Sequence, residues 1–209
     1  MLTETSVKEF IAEVQAKSPV PGGGSVSALV GALGAALISM YQNLTLDKAE
    51  MPEAESSRFT EILNDMQDIT ERFRILVDED AAAFEAVLQA HRLPANSKEE
   101  KAKKQEAIQT ATIAAIEAPL AVMKNGMSAI KRLCEIVKAG NKNAVSDAGV
   151  AVILLDGAIE GASLNVKINL PGLDQEKQHE YLKICNGILM ESQSYKFEVL
   201  DYVEQVLEE

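Results

Sequence analysis

Apolar residues recur at steps of three and four over long stretches of this chain of 209 residues. This spacing places side chains on one face of an α-helix. Between residues 53 and 92, one such stripe contains Ile62, Met66, Ile69, Phe73, Leu76, Phe84 and Val87. Short alternating runs of β-branched and aromatic residues, which indicate strands, are scarce. The pattern therefore predicts an all-α protein, a bundle of about six helices in a single domain over residues 1–209.

Helix start and stop signals divide the bundle. The predicted helices run from about Glu4 to Ala16, Ser25 to Leu46, Glu53 to Arg92, Lys98 to Ala139, Ser146 to Asn169 and Asp174 to Leu207. Thr3 is the expected cap of the first helix. Pro119 should break or kink the fourth, because proline lacks the N–H that the helix needs, and Gly140 should end it. The predicted bundle thus has some long, kinked helices.

Composition narrows the classes of partner and cofactor. Aromatic residues are only 4% of the chain, so aliphatic and small residues must build the core and the helices must approach closely. A formal net charge of −12 disfavours nucleic acid, whose phosphates require clustered cations. We interpret the run Lys101, Lys103 and Lys104 as a solvated helix face.

Cysteine and histidine are too few for a disulfide framework or a typical metal site. Two of each occur, Cys134, Cys185, His91 and His179, without paired spacing. A reducing, cytoplasmic location and a metal-free protein are therefore expected. The N-terminus lacks the pattern of a signal peptide. The apolar stretch 26–40 is shorter than the roughly 20 residues of a membrane span, so we expect a buried helix and no membrane.

Asp80 is the most informative single residue, because it occupies a position on the apolar stripe of the third helix. A carboxylate in an apolar site must gain a partner or raise its pKa, and a raised pKa suits a general acid or base. A structural carboxylate bonded to a helix end or a lysine is the alternative. Neighbouring Asp78 follows Arg74 by four residues, which predicts a surface ion pair.

Two further segments could bind a ligand. On the fifth helix one stripe has polar groups at both ends and small residues between them, which predicts a narrow slot for a flat heterocycle. The stripe contains Asp147, Ala151, Leu154, Ala158, Gly161, Asn165 and Asn169. The alternative is that Ser146, Asp147 and the asparagines only cap the helix. The loop 21–25, Pro-Gly-Gly-Gly-Ser, presents free backbone amides at a helix N-terminus, where they favour binding of an anion. The alternative is that the loop is only a structural turn.

Together these segments resemble a known family, the cyclodeaminase domain of formiminotransferase-cyclodeaminase with its free-standing relatives, including methenyltetrahydrofolate cyclohydrolases. The matching stretches are SPVPGGGSVSALVGALGAAL (18–37), LVDEDAAAF (76–84), RLPANSKEEK (92–101), GNKNAVSDAGVAV (140–152) and NVKINL (165–170). The resemblance implies a dimerising all-α bundle, a folate ligand and a catalytic carboxylate within residues 76–84. The stripe favours Asp80 over Asp78 for that role.

The resemblance also supplies the expected chemistry and site. A cyclohydrolase adds water to 5,10-methenyltetrahydrofolate to give 10-formyltetrahydrofolate; a cyclodeaminase forms the same cation from 5-formiminotetrahydrofolate with loss of ammonia. We place the cyclohydrolase first, the cyclodeaminase second and a non-catalytic helical binding or assembly protein third, with no cofactor in either reaction. The candidate catalytic residues are Asp80 and Asp147. The candidate substrate-binding residues are Pro21, Gly22, Gly23, Gly24, Ser25, Asp78, Asn143, Ser146, Asn165 and Asn169.

A homodimer is expected for a second reason. The predicted second helix carries glycine and alanine on more than one side, and the fifth is apolar nearly all round. A small bundle cannot cover both helices completely, so a second copy should do so.

Overall fold

The computed structural model describes residues 1–47 and 51–209, and within these ranges the chain is helical without a strand. Six α-helices follow in order: α1 (Val7–Gln15), α2 (Gly23–Leu46), α3 (Glu53–Arg92), α4 (Lys98–Ile136), α5 (Val145–Asn169) and α6 (Gln175–Glu208). Short 3₁₀ turns cover Leu2–Glu4, Lys142–Ala144 and Leu170–Gly172. The predicted all-α class and the six helices are confirmed.

The helices pack around α5, which contacts α2, α4 and α6, while α3 packs against α2 and α4. Close helix approach depends on glycines in α2, as expected from the sequence. A Cβ at Gly31 would lie 2.4 Å from the Phe73 ring, and one at Gly34 would lie 2.8 Å from Leu155. These contacts would be impossible with any larger residue, so the glycines let α2 lie against both α3 and α5.

Two local predictions at helix ends are wrong, and so is the predicted break within α4. Ser6, not Thr3, caps α1: its hydroxyl accepts the Glu9 N–H, and Glu9 bonds back in a capping box. α4 continues through Pro119 from Lys98 to Ile136 as a single helix, because the buried packing around that turn outweighs the lost hydrogen bond. Gly140 follows α4 without a positive φ; its lack of a side chain makes room for Tyr41, whose hydroxyl would lie 2.0 Å from an added Cβ.

Two segments, Gly23–Leu46 and Lys142–Gly172, are long and apolar enough to cross a membrane by those criteria alone. In the bundle, 44% and 56% of their most apolar windows are buried against other helices. Half-burial of this kind is typical of core helices, and it also leaves an apolar outer face on each segment.

Candidate functional site

Asp80 lies in α3, where its carboxylate meets the N-terminus of α2. The Ser25 hydroxyl donates to Asp80 Oδ2 at 3.0 Å. The N-cap of α2 is Gly22, which has no side chain to accept the free N–H groups of the first turn. Asp80 therefore supplies from a distant helix the negative group that a capping side chain would provide, at the positive end of the helix dipole.

Gly24 makes this approach possible. A Cβ at Gly24 would lie 2.0 Å from Asp80 Oδ1 and 2.4 Å from its Cγ. Both Gly24 and Ser25 are buried, whereas Gly23 is exposed at the mouth of the site. The glycine loop predicted to receive an anion thus receives the protein's own carboxylate.

The surroundings of Asp80 determine its protonation. Burial raises the pKa of the Asp80 carboxyl above its ordinary value, while hydrogen bonds from the Ser25 hydroxyl and backbone N–H partly oppose that rise. Asp80 is half-buried, so one side of the carboxylate can meet a ligand. Asp80 is thus bonded to a helix end, as the structural interpretation predicts. Its catalytic role stays a prediction, which the raised pKa of the carboxyl favours.

The C-terminal end of α5 borders the same site. A Cβ at Gly23 would lie 3.4 Å from Asn165 Nδ2, so α2 and α5 meet closely here. Asn165 donates to Gly161 O at 2.9 Å, and Asn169 donates to Asn165 O at 2.9 Å and Ala115 O at 3.2 Å. The amide groups thus satisfy helix carbonyls. Their side-chain oxygens are the acceptors that remain for a ligand.

Part of the predicted site lies elsewhere within one chain. Asn143, Ser146 and Asp147 belong to the N-terminal end of α5 and the turn before it. With a rise of 1.5 Å per residue, Asp147 and Asn165 are about 27 Å apart along the axis. One reacting atom cannot contact both ends of α5 in the same chain.

The predicted slot along α5 is filled by protein. Ala151 and Ala158 are buried, and a Cβ at Gly161 would lie 2.5 Å from Ser27 Oγ in α2. Nor is α5 capped by Ser146 or Asp147, because its N-cap is Ala144 and both residues lie within the first turn. The slot prediction is therefore wrong, because the small residues serve close packing of α2 on α5.

Asp78 lies on a different side of α3 from Asp80 and accepts a hydrogen bond from the backbone near the N-terminus. Its Oδ1 accepts the Leu2 N–H at 2.7 Å. Arg74 instead pairs with Glu71 at 2.7 Å, so the predicted surface pair of Asp78 with Arg74 is wrong. Asp78 thus contacts a backbone group opposite the site, rather than the space beside Asp80.

The α3 stripe predicts Phe84 as a core residue, but its side chain is 38% exposed. It lies four residues after Asp80 and thus on the same face, about 6 Å further along the helix. The earlier stripe residues Phe73 and Leu76 are fully buried. An aromatic ring exposed beside a partly buried carboxylate is available for a flat ligand, and the spacing of the stripe gave no signal of this exposure.

Comparisons with known proteins assign the chain to one family. A family model described as formiminotransferase-cyclodeaminase matches residues 6–185. A methenyltetrahydrofolate cyclohydrolase from Methylorubrum extorquens is 37% identical over 194 residues, which are 92% of each chain. The formimidoyltransferase-cyclodeaminase of Mus musculus is 34% identical over 97% of this chain, which spans 38% of that longer protein.

A solved structure has the same architecture. The crystal structure of formiminotetrahydrofolate cyclodeaminase from Thermotoga maritima superposes with a TM-score of 0.80 at 28% identity, covering 100% of this chain and 98% of the other. The match extends through every helix that forms the Asp80 site. By the family match and the identity to full-length relatives, the chain belongs to the formiminotransferase-cyclodeaminase family.

Proposed function

We propose that this protein is a folate one-carbon enzyme that hydrolyses 5,10-methenyltetrahydrofolate to 10-formyltetrahydrofolate. The observation that carries the proposal is the half-buried Asp80 carboxylate, held by Ser25 at the N-terminus of α2. The methenyltetrahydrofolate cyclohydrolase relative, similar over 92% of both chains, favours this reaction.

The reaction suits a single carboxylate. Water attacks the cationic methenyl carbon, and Asp80 accepts one proton from the water as the tetrahedral intermediate forms. The bond from this carbon to N5 then breaks as Asp80 returns the proton to N5, and the carbonyl forms as the hydroxyl of the intermediate loses the second water proton to solvent. A negative carboxylate also stabilises the substrate cation before attack. The proposed chemistry requires no metal or redox cofactor.

A second candidate is cyclodeamination of 5-formiminotetrahydrofolate, which forms the same cation and releases ammonia. It is supported by the names of the other relatives and of the Thermotoga maritima structure. Both reactions form and collapse a tetrahedral carbon near the same carboxylate, so Asp80 serves either one.

One pair of absorbance experiments separates these functions. Purified protein should bleach the near-ultraviolet absorbance of 5,10-methenyltetrahydrofolate faster than buffer does. Appearance of that absorbance from the formimino substrate, with ammonia release, would assign the cyclodeaminase instead. No change in either trace would leave a non-catalytic binding protein. Activity that persists after exhaustive chelation is expected, and its loss would contradict the metal-free mechanism.

The proposed enzyme is a homodimer in the cytoplasm. Large apolar side chains on α2 and α5 are exposed, including Leu33 at 53% and Ile153 at 51%, and a second copy would cover them. Both cysteines, Cys134 and Cys185, are free thiols, which suits a reducing compartment. Light scattering at micromolar concentration should give twice the mass of the chain, and a monomer would contradict this assembly.

A further inference from the structure

Ser25 is completely buried at the start of α2, with an exposed fraction of 0%. Its one hydroxyl hydrogen is donated to Asp80 Oδ2 at 3.0 Å, and its backbone N–H makes a second hydrogen bond to the same carboxylate. A side chain without exposed surface cannot contact a substrate that enters from solvent. Any effect of the Ser25 hydroxyl on the reaction must therefore pass through Asp80.

The bond from Ser25 to another helix differs from the usual bond of a helical serine. A serine within a helix ordinarily donates to the carbonyl one turn earlier. Ser27 does so, since its hydroxyl donates to Gly23 O at 2.7 Å. Ser25 is only the third residue of α2, which begins at Gly23, so the residue four positions earlier lies outside the helix. The hydroxyl is thus free of its own helix and available to α3.

Gly24 fixes the carboxylate from a second direction. A Cβ at Gly24 would lie 2.0 Å from Asp80 Oδ1 and 2.7 Å from Oδ2, so both oxygens lie against bare backbone of α2. Rotation of the Asp80 side chain away from this position would break the bond to Ser25 at Oδ2. Because hydroxyl and N–H groups donate to a carboxylate, they also favour its charged form.

Other charged groups do not account for the state of Asp80. α2, which packs directly on the carboxylate, has no charged side chain over Gly23–Leu46. The charged residues beside Asp80 on α3 and at this level of α4 and α5 have neighbours of their own: Asp78 with the Leu2 N–H, Glu79 with Arg72, Glu117 with Tyr181, and Lys167 near Cys185. Burial raises the pKa of Asp80, and the two hydrogen bonds from Ser25 lower it.

We propose that Ser25 is a positioning residue for the proposed hydrolysis, which holds Asp80 charged and in one orientation and does not itself bind the folate. Asp80 can accept a proton from water only while its carboxylate is charged. Since both donors of Ser25 favour that form, they extend the action of Asp80 as a base toward lower pH. The inference deepens the proposed function and rests on it for the role of Asp80.

The pH dependence of the rate tests this role. Ser25→Ala should lower kcat by up to about 100-fold through misplacement of the base, with KM nearly unchanged. The acid limb of its kcat/KM profile should move to higher pH, because the pKa of Asp80 rises when a donor is lost. Ser27→Ala, the same change at a buried serine of the same helix, should keep the wild-type profile. An unmoved acid limb in Ser25→Ala, or a higher KM at unchanged kcat, would overturn the proposal.

A double variant separates positioning from a general structural effect. If Ser25 acts only through the Asp80 carboxylate, Ser25→Ala should cause no further loss of kcat in an Asp80→Asn background. An independent loss of the same size in both backgrounds would show that Ser25 acts by another route, and the proposal would fail. Circular dichroism melts of all variants accompany the rates.

A titration without folate distinguishes failure of this inference from failure of the proposed function. In protein labelled with carboxyl-¹³C aspartate, the Asp80 signal is the one that Asp80→Asn removes. Its pKa should be higher in Ser25→Ala than in the wild type and unchanged in Ser27→Ala. Equal pKa values in Ser25→Ala and the wild type would refute the positioning by Ser25. A higher pKa in Ser25→Ala, with no folate turnover by the wild type, would refute the proposed function alone.

Discussion

Gly24→Ala is a small change at the point where the site is most crowded. The new Cβ would lie 2.0 Å from Asp80 Oδ1, 2.4 Å from Cγ and 2.7 Å from Oδ2. Non-bonded carbon and oxygen atoms ordinarily lie more than about 3 Å apart. Because the backbone of α2 is packed against α5 and cannot move away easily, the carboxylate must shift by about 1 Å or more. The Ser25 hydrogen bond at 3.0 Å would break or lengthen.

The expected consequence is a loss of rate without a loss of fold. A displacement of about 1 Å in a reacting group can cost roughly 100-fold in rate, so we expect kcat of Gly24→Ala to fall by about that factor. Stability should change little, since alanine favours a helix by up to about 1 kcal/mol over glycine, and this gain offsets part of the steric cost. The assay is bleaching of methenyltetrahydrofolate absorbance, with a thermal melt by circular dichroism.

Gly187→Ala is the control for the same chemical change at an open helical position, where no neighbour lies within 4 Å of the new Cβ. It should keep the wild-type rate and melt at an equal or slightly higher temperature. The reasoning about Asp80 would be refuted if Gly24→Ala retained most of the wild-type kcat. A large drop in its melting temperature would show instead that the crowding is relieved by unpacking α2.

Three other outcomes follow from the same structure. Asp80→Asn should reduce kcat by about 100- to 10,000-fold. Because burial raises the native pKa of Asp80, the wild type loses stability as pH rises through that pKa. The melting temperature of the variant, relative to that of the wild type, should therefore be higher at neutral pH than below pH 3.8. A constant difference across that range would contradict the pKa argument. Phe84→Ala should raise KM by up to about tenfold through loss of an aromatic contact worth roughly 0.5–1.5 kcal/mol, whereas Phe197→Ala on α6 should leave KM unchanged. Tyr41→Phe should lower the free energy of unfolding by about 1–2 kcal/mol in denaturant melts, because the buried Tyr41 hydroxyl donates to Val137 O at 2.8 Å. An unchanged midpoint would show that this hydrogen bond contributes nothing.

The sequence by itself determined the helices, because helix formation depends on spacing and capping within a few turns. The bounds of α3, Glu53–Arg92, agree with the predicted ones, and those of α2 and α5 differ from them by at most two residues. The unusual position of Asp80 was also evident from the local sequence, since a carboxylate there interrupts the apolar stripe of a single helix. The small and aliphatic composition also indicated close contacts between helices, which Gly31 and Gly34 allow.

Tertiary structure alone decided which groups share a site. Asp80 meets Ser25 across 55 residues of sequence, and this contact depends on how α3 crosses the start of α2. The periodicity of α5 placed Asp147 and Asn165 on one stripe but carried no information about the helix that fills the space between them. Phe84 has the spacing of a core residue, yet it is 38% exposed. Periodicity specifies which face a residue occupies; only the packing of distant segments determines whether that face meets protein or solvent.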